Sequence, residues 1–125
     1  MQREEFIERV RRRAGLDSQQ EAEEVTRAVL TTLGEYLSGG EGKDLAAQLP
    51  QGIAEILRRE PPDRPMILSL QDFLQRVGEL EGDAGTEEAE AHARAVFATL
   101  DEAVSGGEWR AVRRQFPGEF DPLFE

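Results

Sequence analysis

The chain carries the same residue pattern twice, because residues 71–124 align with residues 4–57 at a constant offset of 67 without a gap. Nineteen of the 54 aligned positions are identical, and most of them are apolar positions, turns and helix ends. A copy of about 55 residues would be only marginally stable alone. We therefore expect one domain over residues 1–125, in which two pseudo-symmetric repeats share a single core.

Apolar residues recur in both copies with the spacing of helices, and no segment shows the strict alternation of a half-buried strand. The first helix is predicted from Arg3 to Ala14, with Gly15 as its stop. Ser18 and Glu21 have the spacing of a capping box, which predicts the start of a long helix. Gly39-Gly40 is predicted to end that helix.

A short helix is predicted from Glu41 through Gln48, followed by a fourth helical segment from Gln51 to Arg59. The second copy repeats this plan, with Ser69 as an N-cap and a long helix from about Thr86. A proline-rich linker at residues 60–66 separates the copies. The sequence thus predicts an all-α helical bundle of about eight helical segments in two four-segment repeats.

The composition excludes several classes of function. A formal net charge of −11 disfavours nucleic acid and anionic membranes as partners. No apolar stretch approaches the roughly 18 residues that a membrane span requires, and no signal-peptide core follows Met1. The chain has no cysteine, so disulfides and cysteine-ligated metals are excluded. We expect an acidic, soluble, cytoplasmic protein without a cofactor.

The basic residues that recur at the offset of 67 favour a structural role. Each has an acid four residues before it, an order that stabilises a helix surface. The four pairs are Glu5/Arg9, Asp72/Arg76, Glu23/Arg27 and Glu90/Arg94. The run Arg11-Arg12-Arg13 is interpreted as a solvated helix face near a C-terminal end, where cations suit the helix dipole. Neither feature predicts nucleic-acid binding.

His92 is the only histidine, and Glu88 lies one helical turn before it. With Glu90 these residues could form a carboxylate–metal site if they converged. The ligand set is incomplete, however, because a di-iron pattern needs a glutamate three residues before the histidine and position 89 is alanine. We therefore predict a partly buried structural histidine and no catalytic, metal or cofactor site.

Aromatic residues concentrate at the C-terminal end of the chain. This pattern usually belongs to a core, but any exposed part would form an anchor for a protein partner. The candidate interaction patch comprises Trp109, Phe116, Phe120 and Phe124.

Several short sequence motifs occur in order along the chain: Phe-x-x-x-Val, Arg-Ala-Val-Leu-x-x-Leu, Ser-Gly-Gly-Glu, Gln-Leu-Pro, and later Phe-Leu-x-Arg-Val and Gln-Phe-Pro. In these motifs the chain resembles, over nearly its whole length, the bacterial domain-of-unknown-function family numbered 2267. The resemblance implies a compact all-helical domain. It carries over no activity, substrate, cofactor or functional residue.

Three functional hypotheses follow. The first is a non-enzymatic module that binds another protein through its acidic and aromatic second half. The second is a carrier of a small apolar ligand in a cavity between the repeats. The third is a carboxylate–metal enzyme that uses Glu88, Glu90 and His92. The sequence leaves the choice between monomer and homo-oligomer open.

Overall fold

The structure, a computed structural model, describes residues 1–37, 40–58 and 69–125. Within these ranges the chain is helical and has no strand, which confirms the all-α prediction. The elements are α1 (Arg3–Ala14), α2 (Gln19–Tyr36), α3 (Glu41–Ala46), α4 (Ala54–Leu57), α5 (Leu70–Leu80), α6 (Thr86–Ala103), α7 (Gly106–Arg113) and a 3₁₀ segment (Gly118–Phe124). None of the helices in this part of the chain combines the length and the apolar character needed to cross a bilayer.

Serine side chains start three of the helices, as the sequence predicts for Ser18 and Ser69. The Oγ of Ser18 accepts a hydrogen bond from the backbone N–H of Glu21 at 3.1 Å. Ser69 caps α5 and Ser105 caps α7 in the same way, each accepting from the backbone three residues later. These bonds satisfy backbone donors that a helix N-terminus otherwise leaves unpaired.

Two predicted segments differ from the observed ones. The fourth segment is shorter than predicted, because turns occupy residues 51–53 and Gly52 adopts a left-handed φ of 94°. The chain ends in a 3₁₀ segment that contains Pro122. The proposed linker at residues 60–66 and the Ser38-Gly39 part of the turn lie outside the described residues.

The first helix of each half packs on the long helix of the other half. Helix α1 contacts α6, and α5 contacts α2, in addition to the contacts that α1 and α5 make with the long helix of their own half. The two long helices also contact each other, as do α3 and α7. Buried apolar residues from both halves form one contiguous cluster.

Two ion pairs join the halves at positions that correspond at the offset of 67. Arg76 binds Glu35 with two hydrogen bonds of 3.0 and 3.1 Å. Its counterpart Arg9 binds Glu102 at 3.0 Å. Arg9 also makes the predicted pair with Glu5, at 2.9 Å. Each of the two arginines therefore links a first helix to the end of the other half's long helix.

The other three predicted pairs of this type do not form in the described part of the chain. Arg76 contacts Glu35 and Glu79 instead of Asp72, because α5 lies against the end of α2. Glu23 pairs with Arg3 on α1. A spacing rule within one helix could not anticipate partners on another helix.

The basic run at the end of α1 is paired with acids, consistent with a structural role. Arg11 and Arg12 contact Glu8, and these guanidinium groups lower the pKa of the Glu8 carboxyl to about 2. Arg13 contacts Glu102 at 2.7 Å and donates to the Thr99 hydroxyl at 2.9 Å.

Candidate functional site

A cavity of about 230 Å³ lies between the two halves. Its first wall comes from the start of α2 and from Leu16 in the turn between α1 and α2, and its second from the end of α5, the loop after it and the start of α6. Its lining combines acidic and apolar side chains with one histidine: Leu16, Glu21, Glu24, Val25, Leu80, Glu81, Ala84, Glu88 and His92.

The cavity has an exposed rim and a buried floor. Glu21, Glu24 and Glu88 are exposed at the rim, and none of the three forms an ion pair within the described ranges. Leu80 is 40% exposed and also belongs to the rim. The rim is therefore negatively charged and has one apolar contact point.

His92 and Glu81 form a close pair in the floor. The Nδ1 atom of His92 lies 2.6 Å from Oε2 of Glu81, and the two side chains are only 15% and 6% exposed. The hydrogen bond with Glu81 raises the pKa of His92, and burial opposes this shift. The negative charges of Glu88 and Glu21 raise it further. The prediction of a partly buried histidine is confirmed.

The second carboxylate oxygen of Glu81 is not used. Oε1 is buried and has no hydrogen-bond partner among the described residues, although Oε2 is held by His92. A buried acceptor left without a donor costs roughly 1–3 kcal/mol. Glu81 is among the residues that line the cavity, and Oε1 is its carboxylate oxygen without a donor in the described part of the chain.

The sequence-based metal set does not assemble at this place. Glu88 and His92 line the cavity, but Glu90 is not part of its lining. In the described part of the chain, the only three potential ligands with oxygen or nitrogen atoms within 4.8 Å of one another belong to Glu41, Asp44 and Glu108. The hypothesis of a site built from Glu88, Glu90 and His92 is therefore wrong in its geometry.

The Glu41, Asp44 and Glu108 cluster lies where α3 meets α7. Glu41 and Glu108 correspond to each other at the offset of 67, so the two carboxyls come from equivalent helix starts. Burial first, then a hydrogen bond with Glu41 and the negative charges of Glu41 and Asp44, raise the pKa of Glu108 to about 7. The repulsion between the two acids at this contact is relieved while Glu108 is protonated.

The candidate aromatic patch contributes mainly to the core. Trp109 is 7% exposed and Phe120 is fully buried, whereas Phe116 and Phe124 are half-buried. Phe116 stacks on Tyr36 with ring centroids 4.3 Å apart. Truncation of Trp109 would thus disturb packing, and it is a poor test of binding through the surface.

Sequence reasoning missed Glu21, Glu24 and Glu81 as members of a site. Glu21 was interpreted as part of a helix cap, and it does fulfil that role through its backbone N–H. A signal was present, since Glu21 and Glu88 are an identical pair at the offset of 67, as are Glu41 and Glu108. Both pairs come together in the fold.

Fold and site define an all-helical protein whose converging polar groups are carboxylates and one histidine. The sequence matches the model of a family described as "Uncharacterized conserved protein (DUF2267)" over residues 3–123. The chain therefore belongs to this family, as its short sequence motifs indicate. No curated protein matches it.

Proposed function

We propose that this protein is a non-enzymatic module that binds another protein, and that it does so at the acidic cavity between its halves. The observation that carries the proposal is the rim, where three exposed glutamates surround an open space beside Leu80 and have no ion partner in the part of the chain that the structure describes. A basic partner would supply the missing positive charge. Complementary charge of this kind favours rapid and selective association.

The location of the apolar surface supports the same site. Leu80 is one of two large apolar residues that are exposed in the described ranges, and the other is Met1. Most binding energy at an interface usually comes from a few contacts near its centre. Leu80 is placed to give such a contact, with acids around it that select a cationic partner.

The other two hypotheses receive less support. A cavity does lie between the halves, but four glutamates line it, so its chemistry does not suit an apolar ligand. The metal set of the enzyme hypothesis does not converge, as described above.

We also propose that residues 1–125 form one domain made of two interlocked copies. The reciprocal contacts of α1 with α6 and of α5 with α2 support this view, as do the corresponding ion pairs of Arg9 and Arg76. In this arrangement the cavity exists only while both halves are folded together.

A capture experiment with charge-matched variants tests the binding proposal. The immobilised protein is incubated with a native bacterial lysate, and captured proteins are identified by mass spectrometry. The site variant carries Glu21→Gln, Glu24→Gln and Glu88→Gln. We expect it to lose a partner that the wild type retains, because the rim charges that attract the partner are gone.

The control variant removes three exposed acids that do not line the cavity and have no ion partner among the described residues: Glu4→Gln, Glu55→Gln and Glu87→Gln. It has the same net charge and should retain the partner. The purified partner must also bind the wild type in a defined stoichiometry by calorimetry. Equal loss in both variants, or equal retention in both, would contradict a specific acidic site.

A further inference from the structure

We propose that the cavity between the halves binds one guanidinium or alkylammonium group, supplied by an arginine or lysine side chain of the partner. This inference rests on the proposed function and specifies the chemistry of its site. The geometry that supports it is the combination of a buried oxygen without a donor, an acidic rim and apolar walls.

The polar groups of the cavity fit a cation that donates hydrogen bonds. Four carboxylates line the space, and no arginine or lysine from the described ranges does. When His92 is protonated it offsets only one of these charges, so an excess of negative charge remains in either state. Oε1 of Glu81 is a buried acceptor without a donor, and a hydrogen bond between a buried carboxylate and a cationic N–H is of the strong, charge-assisted type.

Size and apolar lining fit a side chain with a methylene stem. A cavity of about 230 Å³ has room for one long side chain. It is smaller than most drug-sized ligand pockets. Leu80 and Val25 can contact the methylenes while the glutamates contact the charged end, as happens with long basic side chains elsewhere.

A divalent metal ion fits this space less well. Its ligands must converge on one point, whereas no three of the acids and His92 in this lining approach within 4.8 Å of one another. A raised pKa also keeps His92 protonated to a higher pH than usual, and a protonated imidazole cannot coordinate a metal.

Model compounds test the inference on the intact protein. N-acetyl-arginine amide and N-acetyl-lysine amide are titrated into ¹⁵N-labelled protein, with N-acetyl-citrulline amide as the neutral compound of the same shape. We expect saturable shifts of the amides of Val25, Glu81 and His92 with the two cations. Citrulline should bind at least about tenfold more weakly, because it lacks the charge.

Matched variants locate the binding. Glu88→Gln and Glu81→Gln should each weaken the cationic compounds, and Glu81→Gln by about tenfold or more. Glu87→Gln removes the neighbouring charge on α6, outside the lining, and should leave the affinity nearly unchanged. If Glu81→Gln alters the fold, which circular dichroism would reveal, Glu88→Gln against Glu87→Gln still decides the matter, since both residues are exposed.

Several results would overturn the inference. The first is that the two cationic compounds cause no saturable amide shifts. The second is that N-acetyl-citrulline amide binds as tightly as the arginine compound. The third is that Zn²⁺ or Mn²⁺ binds more tightly at the same residues and displaces the arginine compound. Spermidine tests whether the cation is a free amine, which has the same chemistry as the side chain of a partner. If spermidine binds more than about tenfold tighter than either amide, the ligand is a free amine and not a partner's side chain.

Failure of this inference is separable from failure of the proposed function. A partner that depends on the rim glutamates but is insensitive to Glu81→Gln would keep the binding module and remove the buried cation site. Binding of the arginine compound without any rim-dependent partner would keep the cation site and remove the protein-binding function.

Discussion

Replacing Glu108 with glutamine should remove a pH dependence from the stability of this protein. In the native contact between α3 and α7, burial and the neighbouring carboxyls of Glu41 and Asp44 raise the pKa of Glu108 to about 7. Glutamine has nearly the same shape and remains neutral at every pH, so it imitates the protonated acid. The substitution therefore separates the role of the proton from that of the side-chain volume.

The size of the effect follows from the shift of the pKa. A rise from 4.5 to about 7 corresponds to about 3 kcal/mol if the whole shift appears in the free energy of unfolding. The side chain of Glu108 is partly exposed and its titration is coupled to that of Glu41, so solvent screening and proton sharing reduce this value. We expect about 1–2 kcal/mol between about pH 5 and about pH 8.

The sign follows from proton binding. Between pH 4.5 and about 7 the folded protein binds more protons at Glu108 than the unfolded chain does, so the folded protein loses stability as the pH rises through this range. The stabilising contribution of Glu108 is therefore complete below pH 4.5. That contribution disappears as the pH rises through about 7. His92 acts in the same direction at higher pH, because its folded pKa is raised above 6.5. Because His92 is present in both proteins, the contribution of Glu108 is the difference between the pH dependence of stability in the wild type and that in Glu108→Gln.

Urea unfolding followed by far-ultraviolet circular dichroism measures this difference. Wild type, Glu108→Gln and the control Glu87→Gln are compared at about pH 5 and about pH 8 at physiological ionic strength. The wild type and the control should lose stability by similar amounts on going to the higher pH. Glu108→Gln should lose less, by about 1–2 kcal/mol. If Glu108→Gln lost as much stability as the wild type between these two pH values, the raised pKa of Glu108 would be refuted.

Three further predictions concern stability at neutral pH and are checked by urea midpoints. Gly78→Ala should destabilise the protein by about 2 kcal/mol or more, because a Cβ at this position would clash with the carbonyl oxygen of Ala84. Gly34→Ala should stabilise it by about 0.5–1 kcal/mol, because a Cβ there would make only an ordinary van der Waals contact. Arg76→Met should cost about 1 kcal/mol through its bidentate pair with the other half, and a loss unaffected by high salt would contradict an ionic origin. Trp109→Ala should cost about 3–5 kcal/mol, and a near-neutral result would restore this residue as a surface anchor.

The helices could be predicted from sequence because their signals are local. The Ser18 cap needs only a serine followed three residues later by a free backbone donor, and the Gly15 stop needs only a residue that tolerates φ of 66°. The fourth segment was misjudged for a similar reason. Its apolar residues have helical spacing, but Gly52 adopts a left-handed conformation that delays the helix to Ala54.

The cavity could not be predicted in this way because its parts come from different elements. Glu81 follows the end of α5, His92 lies within α6, and Glu21 belongs to the start of α2. Spacing along one helix gave Glu88 and His92 as neighbours and added Glu90, which lies outside the cavity lining. Only the packing of α2 near α5 and α6 decides which acids face the same space.

The repeated sequence offers a reason why acids meet acids in this protein. If the two halves face each other as the pseudo-symmetric copies that we propose, a residue near their contact meets its own counterpart, and a retained glutamate then produces a like-charge pair. Glu41 and Glu108 lie together where α3 meets α7, and the raised pKa of Glu108 is the result. Glu21 and Glu88 line one cavity, but there the copies have diverged, with His92 at the position equivalent to Val25. Even a protonated His92 offsets only one of four carboxylates, so the cavity keeps an excess of negative charge that a cationic ligand would balance.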